Sequence, residues 1–259
     1  MDLIDAAGLK LAVTDEGAGA PVLLLHPFPL DGSVLDPVVD FLARDRRVLR
    51  VDYPGFGQSP PPTGPVPLDA YAKALREVLA KKRIARADGF GLSLGSYTLI
   101  ELSRQAPLFF DRLVLVSSRA TAASPESRAD REAMAKRAET EGVGWIAEIW
   151  APLLLRPDAE LYARRLVDKI ICRATPQGVA AGARALAARG DQSAAAKAIT
   201  ARTLVIHGGE DRITPLAEAD LLAQLVPRSQ LEVIPGAGHV PHVDEPDRFN
   251  RAVLSFLRD

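Results

Sequence analysis

Cysteine is almost absent from this chain. Cys172 is the only one in 259 residues, so no disulfide can form within the molecule. An excess of charge of either sign is missing too. The 32 Lys and Arg face 33 Asp and Glu, giving a formal net charge of −1. With the signs interspersed, the basic footprint of a nucleic-acid or membrane-surface binder is excluded. The short cluster Lys81-Lys82-Arg83 reads as a solvated helix end. No apolar run approaches the ~20 residues that a membrane span needs. The opening MDLIDAAGLK has no basic segment leading into an apolar one. With the lone cysteine, that makes a cytoplasmic location the expectation. The histidines, at positions 26, 207, 239 and 242, have no cysteine partners at zinc-site spacing, so neither metal nor cofactor is expected.

What is present is ordinary for a globular protein: 47% hydrophobic and 25% charged residues. A chain of this size buries roughly 70–75% of its unfolded surface, enough for a full core without staples. Disordered, collagen-like and coiled-coil readings fall away.

Short apolar runs alternate with longer amphipathic ones, the pattern of a parallel sheet covered by helices. Strands are predicted at Leu9–Thr14, Val22–His26, Arg47–Asp52, Ala85–Phe90, Arg112–Ser117, Arg202–His207 and Gln230–Pro235. Helices are predicted at Asp69–Lys82, Leu94–Gln105, Ala217–Val226 and Pro246–Leu257, with Asp69 as an N-cap. From about Ala122 to Ile199 no strand pattern occurs. Segments Glu126–Glu141, Val143–Leu155, Asp158–Ala174 and Gln177–Arg189 each suit a helix. The expected organisation is therefore a core from residues 1–121 and 200–259, with a helical cap inserted at 122–199.

In open parallel sheets ligands bind at the carboxyl ends of the strands, and those ends carry the chemistry-bearing residues here. Gly91-Leu92-Ser93-Leu94-Gly95 follows a strand and opens a helix. A serine on such a bend is pushed into strained backbone angles with its hydroxyl exposed, and flanking glycines give the bend room. The bland alternative is a Gly-rich turn with an N-capping serine. A hydroxyl is a weak nucleophile until a base takes its proton. His239, at the end of Gly236-Ala237-Gly238 after a strand, can be that base. An acid must orient the imidazole, and Gly208-Gly209-Glu210-Asp211 offers Asp211, with Glu210 as second choice. The backbone N–H groups of Leu94 and Phe28 can stabilise an oxyanion. Phe28 lies between Pro27 and Pro29, which have no N–H to give.

These stations resemble the α/β-hydrolase superfamily from about Leu9 onward. The matching segments are His26-Pro27-Phe28-Pro29-Leu30-Asp31, Asp52-Tyr53-Pro54-Gly55-Phe56-Gly57-Gln58-Ser59, the Ser93 bend, His207-Gly208-Gly209-Glu210-Asp211 and Gly236-Ala237-Gly238-His239. Within the superfamily the chain is most similar to small carboxylesterases and enol-lactonase-like proteins. The resemblance implies an α/β-hydrolase fold, with a mostly parallel sheet flanked by helices and a small helical cap. It implies Ser93 as nucleophile, Asp211 as acid, His239 as base, and Phe28 and Leu94 as oxyanion donors. Three departures stand out. Pro27 replaces a common glycine, Ser96 replaces another, and the strand before Ser93 is polar enough to be short or irregular.

The implied activity is cofactor-independent cleavage of small to medium carboxylic esters through an acyl-enzyme. Lactone or enol-lactone hydrolysis is the alternative. Perhydrolase or carbon–carbon bond hydrolysis, and a catalytically silent ligand-binding fold, rank lower. The expected partner is a small-molecule ester or lactone, not nucleic acid or membrane, and oligomeric state is left open. His26 and His207 read as structural, and His242 as either an entrance residue or a packing one. Trp145, Trp150 and Leu153-Leu154-Leu155 are candidates for an apolar pocket, which favours an uncharged or partly hydrophobic substrate. Arg119 alone is a candidate carboxylate contact.

Overall fold

A computed structural model describes residues 1–258. Its strands are β1 (Asp2–Ala6), β2 (Leu9–Gly17), β3 (Ala20–Leu25), β4 (Arg46–Val51), β5 (Ala87–Leu92), β6 (Phe110–Val116), β7 (Arg202–Gly208) and β8 (Ser229–Ile234). They form one sheet in the order β1-β2-β4-β3-β5-β6-β7-β8. The β1–β2 and β2–β4 pairs are antiparallel, and every pair from β4 to β8 is parallel. Parallel strands lie buried on both faces, which is why β3 reads as continuous Val-Leu-Leu-Leu, each at most 1% exposed.

The order of the strands positions the site. From β3 the chain moves to β4 on one side, then returns to place β5 on the other. The loops leaving β3 and β5 therefore diverge, opening a crevice at their carboxyl ends.

The helices are α1 (Asp36–Leu42), α2 (Leu68–Lys81), α3 (Leu94–Gln105), α4 (Pro125–Glu141), α5 (Ile146–Leu154), α6 (Leu161–Ile171), α7 (Pro176–Ala188), α8 (Ser193–Lys197), α9 (Leu216–Leu225), α10 (Pro241–Asp244) and α11 (Pro246–Arg258). Helix α3 is buried from Leu94 through Ser103, packed on β3, β5 and β6 and covered by α2. Its near-total burial fits a helix with mostly apolar or small residues on every side, and its one buried acid, Glu101, is paired with Arg104 at 2.7 Å. Helix α2 is capped at Pro67, with Asp69 in its first turn and not at the N-cap that its side chain suggested.

The polar strand before Ser93 is real. All six residues of β5 are buried, with a register shift between Ala87 and Gly89. Asp88 explains how the strand tolerates its charge: Arg46 Nη1 lies 2.6 Å away and an Arg112 nitrogen 3.7 Å. Burial still raises the Asp88 carboxyl above its ordinary range, against the pull of both arginines.

Between β6 and β7 the chain forms α4 to α8. Ser124 and Thr175 cap α4 and α7 by accepting from Ser127 N and Gly178 N, and a proline occupies the first turn of each. This helical insert is fastened to the Asp52–Ser59 turn by a close backbone approach. Thr175 N donates to Gly55 O at 2.9 Å. A Cβ on Gly178 would lie 2.5 Å from Gly55 O, and one on Gly55 would lie 2.3 Å from Gly178 Cα. Arg173 adds an ion pair to the buried Asp31 at 2.9 Å.

Gly178→Ala should therefore force backbones apart. The expected cost is about 1–3 kcal/mol, read as a fall in Tm of about 2–4 °C per kcal/mol in a calorimetric scan. An unchanged Tm would show that the insert does not dock there.

Candidate active site

Ser93 occupies the single residue between β5 and α3, at φ 52 and ψ −108. A non-glycine residue in that region costs of order 1–3 kcal/mol, so its surroundings must hold it. Ser93 N donates to Val116 O at 2.8 Å, and Tyr97 N donates to Ser93 O at 3.1 Å. The flanking glycines are required by contact. A Cβ on Gly91 would fall 2.5 Å from Gly95 C, and one on Gly95 would fall 2.3 Å from Leu25 O. The Ser93 side chain makes no capping hydrogen bond, which removes the N-cap alternative for this bend. Ser96, whose departure from glycine had no sequence explanation, ties two strand ends together. Its hydroxyl donates to Gly91 O at 2.6 Å and accepts from Val116 N at 3.0 Å.

Asp211 and His239 come from the loops after β7 and β8. The loops are laced by Gly209 N to Ile234 O and Glu210 N to Ala237 O, at 2.9 and 2.8 Å. Asp211 Oδ1 accepts from Ile213 N at 2.8 Å and Thr214 N at 3.0 Å, and Oδ2 lies 2.8 Å from His239 Nδ1. Both side chains are out of contact with solvent, at 0% and 1% exposure. Burial pushes the Asp211 carboxyl up, but the imidazole and the two backbone N–H groups outweigh it and hold it below its ordinary range. An ionised Asp211 fixes the proton on Nδ1 and leaves Nε2 free to accept. Glu210, the second candidate, is exposed.

Asp244, which sequence reasoning passed over, positions this loop. Its Oδ2 accepts from Gly238 N at 2.8 Å and from Arg156 N, in the insert, at 3.0 Å. Its position six residues past Gly238 carries no recognisable motif.

Ser93 and His239 line one chamber of about 40 Å³, together with Phe28, Tyr97, Trp150 and Ile213. Phe28 is buried between Pro27 and a cis-linked Pro29. Among the described residues neither Phe28 N nor Leu94 N donates to a protein acceptor. Phe28 lines the chamber, and Leu94 follows Ser93 directly as the first residue of α3. The Phe28 ring meets Trp150 edge-on, with centroids 5.8 Å apart.

The other histidines do not reach the chamber. His26 Nε2 accepts from Tyr53 N and its Nδ1 donates to Pro27 O, both at 3.0 Å, which spends both ring nitrogens. His207 is buried at the end of β7. His242 is buried, donating from Nε2 to Val34 O at 2.9 Å, and burial pushes its imidazole down to about 4. It packs and does not line an entrance. The Asp52 carboxylate accepts from Gly32 N and Gln58 N, so that turn is also structural.

The apolar-pocket expectation holds in part. Trp145, Trp150 and Leu153 line a mostly apolar cavity of about 480 Å³ that adjoins the chamber, and Trp150 lines both. Leu154 and Leu155 are buried in packing instead. The chamber wall itself carries three arginines: Arg119, as suspected, plus Arg131 and Arg189. The last two were missed because each belongs to an otherwise unremarkable helical segment. Among the described residues no acidic, histidine and cysteine cluster could hold a metal ion, and no helix is long and apolar enough to cross a membrane.

A hydrolase sheet with a strained serine at a strand end and a buried His–Asp pair beside it defines a class, and comparison with known proteins agrees. Residues 20–246 match the alpha/beta hydrolase fold family, and the chain belongs to it. It is 32% identical over 252 residues to the pimeloyl-[acyl-carrier protein] methyl ester esterase of Nitrosomonas europaea, covering 93% of this chain and 96% of that protein. A malate-bound thermophilic esterase from Thermogutta terrifontis superposes with a TM-score of 0.93 at 34% identity, covering 96% and 93% of the two chains. The enol-lactonase from Burkholderia xenovorans LB400 gives 0.92 at 27% identity, covering all of both. The protein is a hydrolase of this family.

Proposed function

We propose that the chain cleaves small carboxylic esters through an acyl-enzyme on Ser93. The observation that carries this is the Asp211–His239 pair at 2.8 Å, opening on the same chamber as a serine held at φ 52. His239 Nε2 takes the Ser93 proton as Oγ attacks the ester carbonyl. The oxyanion accepts from Phe28 N–H and Leu94 N–H, each such donor worth about 2.7–4 kcal/mol in the transition state. The carbon–oxygen bond then breaks, and His239 returns the proton to the departing alkoxide. A water, deprotonated by the same Nε2, adds to the acyl-enzyme and releases the acid and Ser93. Asp211 stays ionised throughout and stabilises the imidazolium. The helical insert serves as a cap over this chemistry, supplying Arg131, Trp150 and Arg189 to the chamber.

Lactone hydrolysis is the second reading, supported by the likeness to an enol-lactonase along the full length. It uses the same residues and differs in that the leaving alcohol stays attached to the acyl group.

A fluorophosphonate reports on the nucleophile without a known substrate. One adduct per chain is expected by intact mass, mapping to the peptide that contains Ser93. Its absence on folded protein would overturn the acyl-enzyme reading and favour a catalytically silent binding fold. With an adduct in hand, a panel of esters and lactones separates the two hydrolytic readings.

A further inference from the structure

The chamber that holds Ser93 and His239 is walled by Arg119, Arg131 and Arg189, from three separate parts of the chain. Among the described residues none of the three has a carboxylate within 4 Å, although most other ion pairs in the molecule involve arginine. The acids nearest in charge effect are engaged or turned elsewhere. Glu218 accepts from Thr121 Oγ1 at 2.7 Å, Asp191 accepts from Ser193 N at 2.8 Å, and Asp130 shares the adjoining cavity with Arg131 without pairing to it.

Each guanidinium is held in place without being neutralised. Arg131 lies 4.3 Å above the Trp150 ring and 5.4 Å from that of Phe28, and Arg189 lies 4.2 Å above Tyr97. Aromatic faces orient a guanidinium and stabilise its charge, but they do not satisfy its in-plane N–H groups. Arg119 spends Nη2 on Ile213 O at 2.9 Å. Arg131 Nη1 and Arg189 Nη1 are buried with no acceptor, and Arg189 as a whole is only 5% exposed. Burial pushes the Arg131 guanidinium down to about 10, with Arg119 repelling it further, so it remains a cation at neutral pH. Three like charges and two orphaned donors around so small a space are costly for an apo site. They become favourable when an anion enters, because Arg–carboxylate bonds are among the strongest hydrogen bonds a protein makes.

We propose that this arginine-walled chamber selects esters or lactones that carry a free carboxylate close to the reacting carbonyl, such as half-esters of short dicarboxylic acids. The inference rests on the acyl-enzyme reading and narrows its substrate class. The carboxylate enters between Arg131 and Arg189, with Arg119 adding charge from the sheet side. The ester carbonyl is thereby set against Ser93. The adjoining apolar cavity, which shares Ser127, Arg131, Trp150 and Ile213 with the chamber, takes the uncharged remainder.

Two measurements test this. Hydrolysis of monomethyl succinate is compared with that of methyl pentanoate, a neutral ester of similar size. Succinate binding is measured by calorimetry on the Ser93→Ala chain, where no turnover intervenes. The half-ester is expected to be preferred by about 10–100-fold in kcat/KM, the range of one or two charge-assisted bonds. Arg131→Gln and Arg189→Gln are each expected to reduce that preference by about tenfold and to weaken succinate binding in parallel. A folded variant is recognised by its fluorophosphonate adduct. Equal rates on the two esters in the unaltered chain, or no succinate binding, would overturn the proposal while leaving the hydrolase reading intact. Failure of the fluorophosphonate reaction would instead strike the acyl-enzyme reading, and succinate binding would then still decide whether the arginines form an anion site.

Discussion

Ser93→Ala is expected to lower kcat/KM on any ester the chain accepts by about 10,000-fold or more, and to abolish fluorophosphonate labelling. The size follows from the roles assigned to the site. Without Oγ no acyl-enzyme forms, and His239 then has no proton to take. What survives is the binding of substrate and the two backbone donors, Phe28 N–H and Leu94 N–H, neither of which depends on the side chain at 93. Stability should hardly move. The Ser93 hydroxyl caps nothing, and alanine meets the same backbone strain at φ 52. Steady-state kinetics and a thermal scan on the same preparation check both halves. Activity above a tenth of the original, with unchanged Tm, would remove Ser93 from the chemistry.

Legibility in the sequence follows the range over which each feature is encoded. Strands β3, β6 and β7 are visible because each carries an unbroken apolar run where it is buried on both faces, Val22–Leu25, Leu113–Val116 and Leu204–Ile206. Strand β1 escapes notice because it is an edge. Asp2, Leu3 and Asp5 are exposed, so no apolar run marks it, and its Ala7-Gly8 turn uses positive φ without the usual Asn or Asp. Helix α1 is only seven residues long and lies within what reads as the loop after β3. The candidate serine, acid and histidine are legible because each follows a strand in a short, small-residue turn, a purely local signal. The arginine wall is not legible. Arg119 follows β6, Arg131 lies in α4 and Arg189 ends α7, and only the docking of the insert brings them together. Nothing in their spacing distinguishes them from the surface arginines beside them, such as Arg128 and Arg137. The charge of the pocket is thus a tertiary property, which is why the insert's tryptophans and leucines alone pointed to an uncharged substrate.

Asp211→Asn tests the finer claim that orientation of the imidazole, and not merely its presence, carries catalysis. The two oxygens of Asp211 have different duties. Oδ1 accepts from Ile213 N and Thr214 N, and Oδ2 accepts from His239 Nδ1. An asparagine is nearly isosteric, and its amide has only one acceptor to offer. The two backbone donors claim that oxygen, because turning the NH₂ toward them would set donors against donors. The NH₂ is then left facing His239 Nδ1. That nitrogen must accept, so the ring proton moves to Nε2, the atom that should receive the proton of Ser93. The base is present and in place, yet holds the wrong tautomer. The fall expected in kcat/KM is about 10,000-fold, with little change in substrate affinity, because Asp211 lies behind the imidazole. Loss of the buried carboxylate also removes stabilisation of the imidazolium, so raising the pH should restore little. Asp211→Glu should do poorly for another reason: its extra methylene has no room at a site with no exposed side-chain surface. If Asp211→Asn retained more than a tenth of the original turnover, the buried pair would be a structural contact, and the base opposite Ser93 would have to be sought elsewhere in the chamber.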